Sequence, residues 1–336
     1  MKLHLVTATL LLALASGQAA GAAPTTLKFA TILPQGGPWA AAMTRFASDV
    51  SRLTRGQVVV KFYFGAVAGT DEHALARMRS GQIQGLAAAT ASLSGIEPSV
   101  RVMELPMLFK TPDEFRYTLR SMQPEFRLRY AAKGYTLLGM AGIGWVRIYS
   151  KLPLNSLADF RARKVWRWST DPMAAALFQV VGVKGLNLSP SEVLPSLQAG
   201  TLDTVYGMSH IVHSLQWHQS LAYVLDLRIT MAIAGVIMRK DALERLSPAH
   251  QKILLERADI MAQELNTNSD LVNTKSMQTM VRSGLKTVVP TGAFYRDLES
   301  TRDKVWALLR GKLFQDADLK KVQSLITICR NTSCKP

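Results

Sequence analysis

An α/β fold in two units is what this sequence predicts, and three observations predict it. Leu27 to Ala89 reads strand, helix, strand, helix, strand. Val165 to Tyr206 repeats that order. From Pro248 to about Ser283 a helical pattern runs on with no internal proline or glycine, long enough at 1.5 Å per residue to reach roughly 50 Å and brace both units. Such alternation favours a mostly parallel sheet covered by helices.

The elements follow in order. Leu27 to Thr31 is a short strand that runs into Pro34-Gln35-Gly36-Gly37-Pro38-Trp39. A helix then spaces Met43, Phe46, Ala47 and Val50 on one face. Val58 to Phe64 alternates as a second strand, Glu72 to Ser80 is a helix closed by Gly81, and Ile83 to Ala89 is a strand of small residues. Gly134 to Tyr149 holds two extended segments that cross between the units. In the second unit Lys164 to Trp168 is β-type, Asp171-Pro172 opens a helix over Met173 to Val181, and a helix over Pro190 to Ala199 ends at Gly200.

Met1 to Ala22 has a basic start, an apolar run from Leu5 to Ala15 and an Ala20-Gly21-Ala22 ending, which reads as a secretory signal peptide. With no lipobox cysteine at its end, a soluble periplasmic protein is expected. An exported chain meets oxidants, so the two cysteines, Cys329 and Cys334, are expected to join in a small loop that pins the C-terminus. The net charge of +16 favours acidic partners or anionic surfaces, yet its basic residues are scattered and no aromatic-interleaved basic ribbon suits nucleic acid. Neither a G-x-S-x-G elbow, an H-E-x-x-H pair, a phosphate loop nor a dinucleotide fingerprint occurs, so catalysis has little support. His210, His213 and His218 do not share one helical face, so no metal site is expected.

Candidate ligand contacts are mostly aromatic. Open α/β sheets place ligands where strand ends meet helix N-termini. Trp39 stands at such a junction, where it either lines a cleft or plugs the first core. Trp145, Trp166 and Trp168 could form an aromatic wall. Alternate strand residues share a face, so Trp166 and Trp168 point together and Arg167 points away. Tyr206 and His210 follow the third strand of the second unit, where phenol and imidazole could bond a ligand or bridge the units.

Several phrases resemble the solute-binding subunit of TRAP transporters. Phe62-Tyr63-Phe64-Gly65 with Gly69-Thr70-Asp71-Glu72, Glu104-Leu105-Pro106-Met107-Leu108-Phe109, Ser156-Leu157-Ala158-Asp159-Phe160 before Lys164-Val165, Leu197-Gln198-Ala199-Gly200-Thr201-Leu202-Asp203 and Leu246-Ser247-Pro248 match its motifs in order. The resemblance implies a type II-like, two-lobed periplasmic binding protein with an interlobe cleft and a long bracing helix. Such a protein is expected to act as a receptor rather than an enzyme, with no cofactor, and to hand a small molecule to the membrane subunits of a TRAP permease. The implied layout is lobe I over 25–147 with about 232–270, lobe II over 148–231 with about 271–312, and a tail over 313–336, after the signal over 1–22.

Members of that family hold an organic acid by arginine. At the two corresponding positions stand Trp166 and Val146, with Arg167 and Arg147 each one place late. A one-residue offset in a strand reverses the face, so the resemblance points to a more hydrophobic ligand. The W-x-W-x-x-D-P and L-Q-W-H phrases, Trp166 to Pro172 and Leu215 to His218, resemble a branch associated with a periplasmic tetratricopeptide-repeat partner. The expected ligand contacts are therefore Trp39, Trp145, Arg147, Trp166, Arg167, Trp168, Tyr206 and His210. The competing functions are an adaptor working through such a partner and a secreted enzyme using the same cleft.

Overall fold

The computed structural model describes residues 23–168 and 171–334, so the expected signal over 1–22 lies outside the described residues. The first series is β1 (Thr25–Ala30), α1 (Gly37–Leu53), β2 (Val58–Tyr63), α2 (Asp71–Arg79), β3 (Gly85–Ala89) and the short α3 (Thr90–Leu93). A 3₁₀ helix (Pro98–Glu104), α4 (Pro112–Ala132) and β4 (Tyr135–Ser150) lead to the second. That consists of α5 (Leu157–Arg161), β5 (Trp166–Arg167), α6 (Pro172–Val181), β6 (Leu186–Asn187), α7 (Pro190–Gln198), β7 (Thr204–Met208) and α8 (Ser209–Ser214). The chain ends with β8 (Tyr223–Leu225), β9 (Thr230–Arg239), α9 (Lys240–Glu244), α10 (Pro248–Arg282), β10 (Lys286–Val288), α11 (Gly292–Leu309) and α12 (Asp316–Asn331).

Helix starts repeat one device, a capping side chain followed by proline, whose fixed φ suits the first turn. Thr111 before Pro112 accepts from the Glu114 N–H, Asp171 before Pro172 from the Met173 N–H, and Ser247 before Pro248 from the His250 N–H. Ser189 before Pro190 completes a capping box with Glu192. Gly182 closes α6 in the left-handed conformation that a side chain would resist.

The sheet is mixed rather than mostly parallel. Its order is β10-β8-β4-β9-β3-β1-β2, with β7 also on β4. β1 pairs parallel with β2 and β3, but β9 runs antiparallel to β3 and β4, and β7 and β8 run antiparallel to β4. The two extended segments expected over Gly134 to Tyr149 are one 16-residue strand with two register shifts. Val146 is where β4 exchanges partners: it is the last residue paired with β9 and the first paired with β7. Strands β1–β3 and β9 build the first lobe; β7, β8, β10 and the small parallel pair β5-β6 build the second.

Each lobe buries apolar side chains on both faces of its sheet, the main favourable term for folding. In the first lobe Leu27, Phe29, Phe46 and Val50 gather on one face, and Leu86, Met103, Phe115 and Phe126 on the other. In the second, Tyr149, Val205, Val212 and Trp217 oppose a group around Phe160, Val165 and Phe178. The 35-residue α10 serves both lobes: Leu254, Ala258, Met261 and Leu265 pack in the first, Met280 in the second.

The segment expected as a tail is a helix. Leu319, Val322 and Ile326 of α12 join the first lobe's core, Arg129 pairs with Asp318 and Arg330 with Glu114. Cys329 and Cys334 are disulfide-bonded at its end. No helix among the described residues is long and apolar enough to cross a membrane.

Candidate functional site

Two places bring sequence-predicted residues together. The first lies over α10, where the lobes touch. Trp39, in the first turn of α1, is 8% exposed; its indole N–H donates to Ser269 Oγ at 2.8 Å and its ring meets His210 of α8 edge-on at 5.3 Å. The His210 backbone N–H donates to Asn273 Oδ1 at 3.1 Å, and the Asn273 amide donates to the Ile143 carbonyl at 2.9 Å. Asn266, two turns earlier, accepts from the Gly142 N–H at 2.8 Å. Asn266, Ser269 and Asn273 share one face of α10 by their 3- and 4-residue spacing. Together they hold α1, β4 and α8 to the bracing helix. Burial, and then the nearby charge of His213, lower the His210 pKa.

The second place is an aromatic group on the second lobe. Trp166 is 3% exposed; its indole N–H donates to the Leu188 carbonyl at 2.9 Å. Its ring stacks on Tyr206 at 5.3 Å and meets the edges of Trp168 at 5.7 Å and Trp217 at 5.2 Å. Trp166 and Trp168 do share a face, and the Arg167 Nε–H reaches Asn187 Oδ1 at 2.8 Å instead. Tyr206 accepts from the Trp168 backbone N–H at 3.0 Å, and burial pushes its phenol up to about 12. Trp168, 45% exposed, is the member of the group that offers solvent an aromatic face.

Trp145 and Arg147 stand apart from both groups. Trp145 carries the Arg228 guanidinium 5.6 Å above its ring, and its own indole nitrogen is buried without a hydrogen-bond partner among the described residues. Arg147 pairs with Asp226 at 2.9 Å. Among the described residues no cluster of His, Cys, Asp and Glu is placed to hold a metal ion.

Sequence reasoning missed a buried ion group where the 3₁₀ helix of the first lobe meets the N-terminus of α6. Arg101, its side chain 4% exposed, donates from Nη1 to Glu104 at 2.6 Å and from Nη2 to Asp171 at 2.7 Å. Glu104 also accepts from Thr90 Oγ1 at 2.6 Å and from the Ile233 N–H at 2.9 Å. Burial works against the Arg101 charge, but the two carboxylates outweigh it and raise its pKa. Burial also raises Glu104, with Arg101 and Thr90 opposing. The signal in the sequence was a basic residue inside an apolar run, Val100-Arg101-Val102-Met103, with an acid three places on.

Comparison with known proteins agrees with this architecture. The bacterial extracellular solute-binding protein family 7 matches residues 29–311. The 2,3-diketo-L-gulonate-binding periplasmic protein YiaO of Escherichia coli is 23% identical over 261 residues, 77% of this chain and 79% of that protein. The sugar acid binding protein of Advenella mimigardefordensis, in complex with galactonate, superposes with a TM-score of 0.80 at 18% identity, covering 91% of this chain and 99% of that one. A TRAP periplasmic solute-binding protein from Shewanella oneidensis with bound succinate gives a TM-score of 0.80 at 18% identity, covering 90% and 100%. At such identities the superpositions speak for the fold.

Proposed function

This chain belongs to the bacterial extracellular solute-binding protein family 7, and we propose that it is the receptor of a TRAP-type transporter. It captures a small organic acid between its lobes and hands it to the membrane permease. Residues 1–22 direct its export, and the lobes divide as 25–147 with about 232–270, and 148–231 with about 271–312. The similar proteins carry hydrophilic acids, galactonate and succinate. That favours an organic acid over the apolar ligand expected from the tryptophans. A tetratricopeptide-repeat partner gains no support from these relatives.

The observation that carries the reading is the placement of Trp168. Tyr206 fixes its backbone, Trp166 backs its ring, and its outer face lies open three residues before Asp171, the cap of α6. An aromatic face of that kind can cover the C–H side of a short carbon chain while polar groups nearby read its carboxylate. Closure is then a hinge motion driven by the ligand's preference for the closed form. Calorimetry and small-angle scattering with a panel of four- to six-carbon acids test this. One acid is expected to bind and contract the particle. Repeated conversion of a bound acid into product would instead make the protein an enzyme.

A further inference from the structure

An organic acid between the lobes needs a desolvated cation, and the two arginines expected as ligand contacts are committed elsewhere: Arg147 to Asp226, Arg167 to Asn187. Arg101 is the guanidinium buried where the lobes meet, three residues along the chain from Trp168 through its partner Asp171. Both Nη groups are engaged, while the buried Nε–H has no partner among the described residues.

Its two carboxylates are not equivalent. Glu104 is enclosed, with a side chain 8% exposed, and is held by Thr90, the Ile233 N–H and Arg101. The Asp171 side chain is 23% exposed, and among the described residues Arg101 is the one side chain that bonds it, beside the cap to the Met173 N–H. Building on the organic-acid reading, we infer that Arg101 is the carboxylate-reading cation of this receptor and that Asp171 is its resident internal carboxylate, displaced when an acid binds.

The charge count supports exchange over addition. A third carboxylate beside one guanidinium would be repelled in a low-dielectric site. If Asp171 turns to water as the ligand arrives, the buried charge is unchanged. The incoming carboxylate also replaces the anion that Asp171 presents to the N-terminus of the ten-residue α6, where helix dipole and free N–H groups favour negative charge. A planar guanidinium can then engage the acid through two parallel N–H bonds.

The test is calorimetry with succinate and D-galactonate on the wild type, on Asp171→Asn, and on the double variant Arg101→Gln/Glu104→Gln. Asparagine keeps the helix cap, and the double variant removes two opposite charges together, leaving Asp171, the partly exposed member, to turn to water. Asp171→Asn is expected to bind at least one acid about tenfold more tightly than the wild type, because the competitor is gone. The double variant is expected to lose that binding while unfolding at a similar temperature. Unchanged or weaker binding by Asp171→Asn, no binding by any of the three, or equal binding by the double variant overturns the inference. An acid that binds wild type and double variant alike removes Arg101 while leaving the receptor reading intact. Native mass spectrometry of protein from its own periplasm tests that reading separately: a bound molecule with no acidic group removes it.

Discussion

Trp39 of the first lobe meets His210 of the second edge-on, with ring centroids 5.3 Å apart, and both are tied to α10, through Ser269 and Asn273. The bracing helix therefore sets the distance between the lobes at one defined contact. Trp39→Phe keeps a ring against His210 but removes the donor to Ser269, which should cost about 1 kcal/mol of stability. Trp39→Ala also opens a cavity and should cost about 3–5 kcal/mol. Guanidinium unfolding measures both. A Phe variant as damaged as the Ala variant would show that the hydrogen bond, and not the ring, carries the contact.

The same contact predicts a pH dependence. The His210 ring faces the Trp39 ring and His213, its backbone N–H being held by Asn273; His218 faces the stacked His213 ring and the Val212 carbonyl. Burial is the largest cause lowering both pKa values. The unfolded chain therefore takes up these protons at a higher pH than the folded one does, and stability rises with pH across that interval. The contribution is complete above about pH 6.5 and is lost as pH falls below it. Melting temperatures should be flat from about pH 7 to 8 and decline towards about pH 5. His210→Gln should flatten part of the decline; an identical slope would remove His210 from the account.

Trp166 and Trp168 should separate cleanly. Trp166 is enclosed by Tyr206, Trp168 and Trp217, and its N–H satisfies the Leu188 carbonyl. Trp166→Ala should cost about 3–5 kcal/mol of folding free energy. Trp168→Ala loses one aromatic contact from a half-exposed position and should cost only about 1 kcal/mol. Under the receptor reading it is nevertheless the variant that weakens acid binding. Parallel denaturation and calorimetry of the two variants decide it, and a large loss of stability at Trp168 would mean that it belongs to the core.

The pairing of those tryptophans was legible because strand periodicity is local: residues two apart share a face. Helix starts at Pro112, Pro172, Pro190 and Pro248 are local too, written as a cap followed by proline. The length of β4 was not legible, because Gly139, Gly142 and Gly144 read as breaks. In the fold they are places of close approach: a Cβ at Gly139 would lie 2.7 Å from the Ala262 Cβ, and one at Gly142 would lie 2.6 Å from the Phe115 ring. Arg101 was hidden for a different reason. Basic residues are usually solvated, and the partner that makes its burial tolerable, Asp171, stands 70 residues away.

Gly144 gives the most demanding test of how β4 meets α10. Its φ of +140° is a conformation that side chains rarely adopt, and an added Cβ would lie 2.5–2.8 Å from three atoms of the Asn273 amide group. Gly144→Ala should therefore cost about 2–4 kcal/mol, from backbone strain and from pushing Asn273 off the Ile143 carbonyl and the His210 N–H. Asn273→Ala alone leaves those two groups without this partner and should cost about 1–3 kcal/mol. Because both changes act on one contact, their costs should not add. The double variant removes the clash and keeps the strain and the loss of the Asn273 hydrogen bonds, counted once, so it should be more stable than the sum predicts by about 1 kcal/mol or more. Strict additivity in a double-mutant cycle would mean that β4 yields to the new methyl group without disturbing Asn273, and that this helix does not fix the strand where the lobes divide.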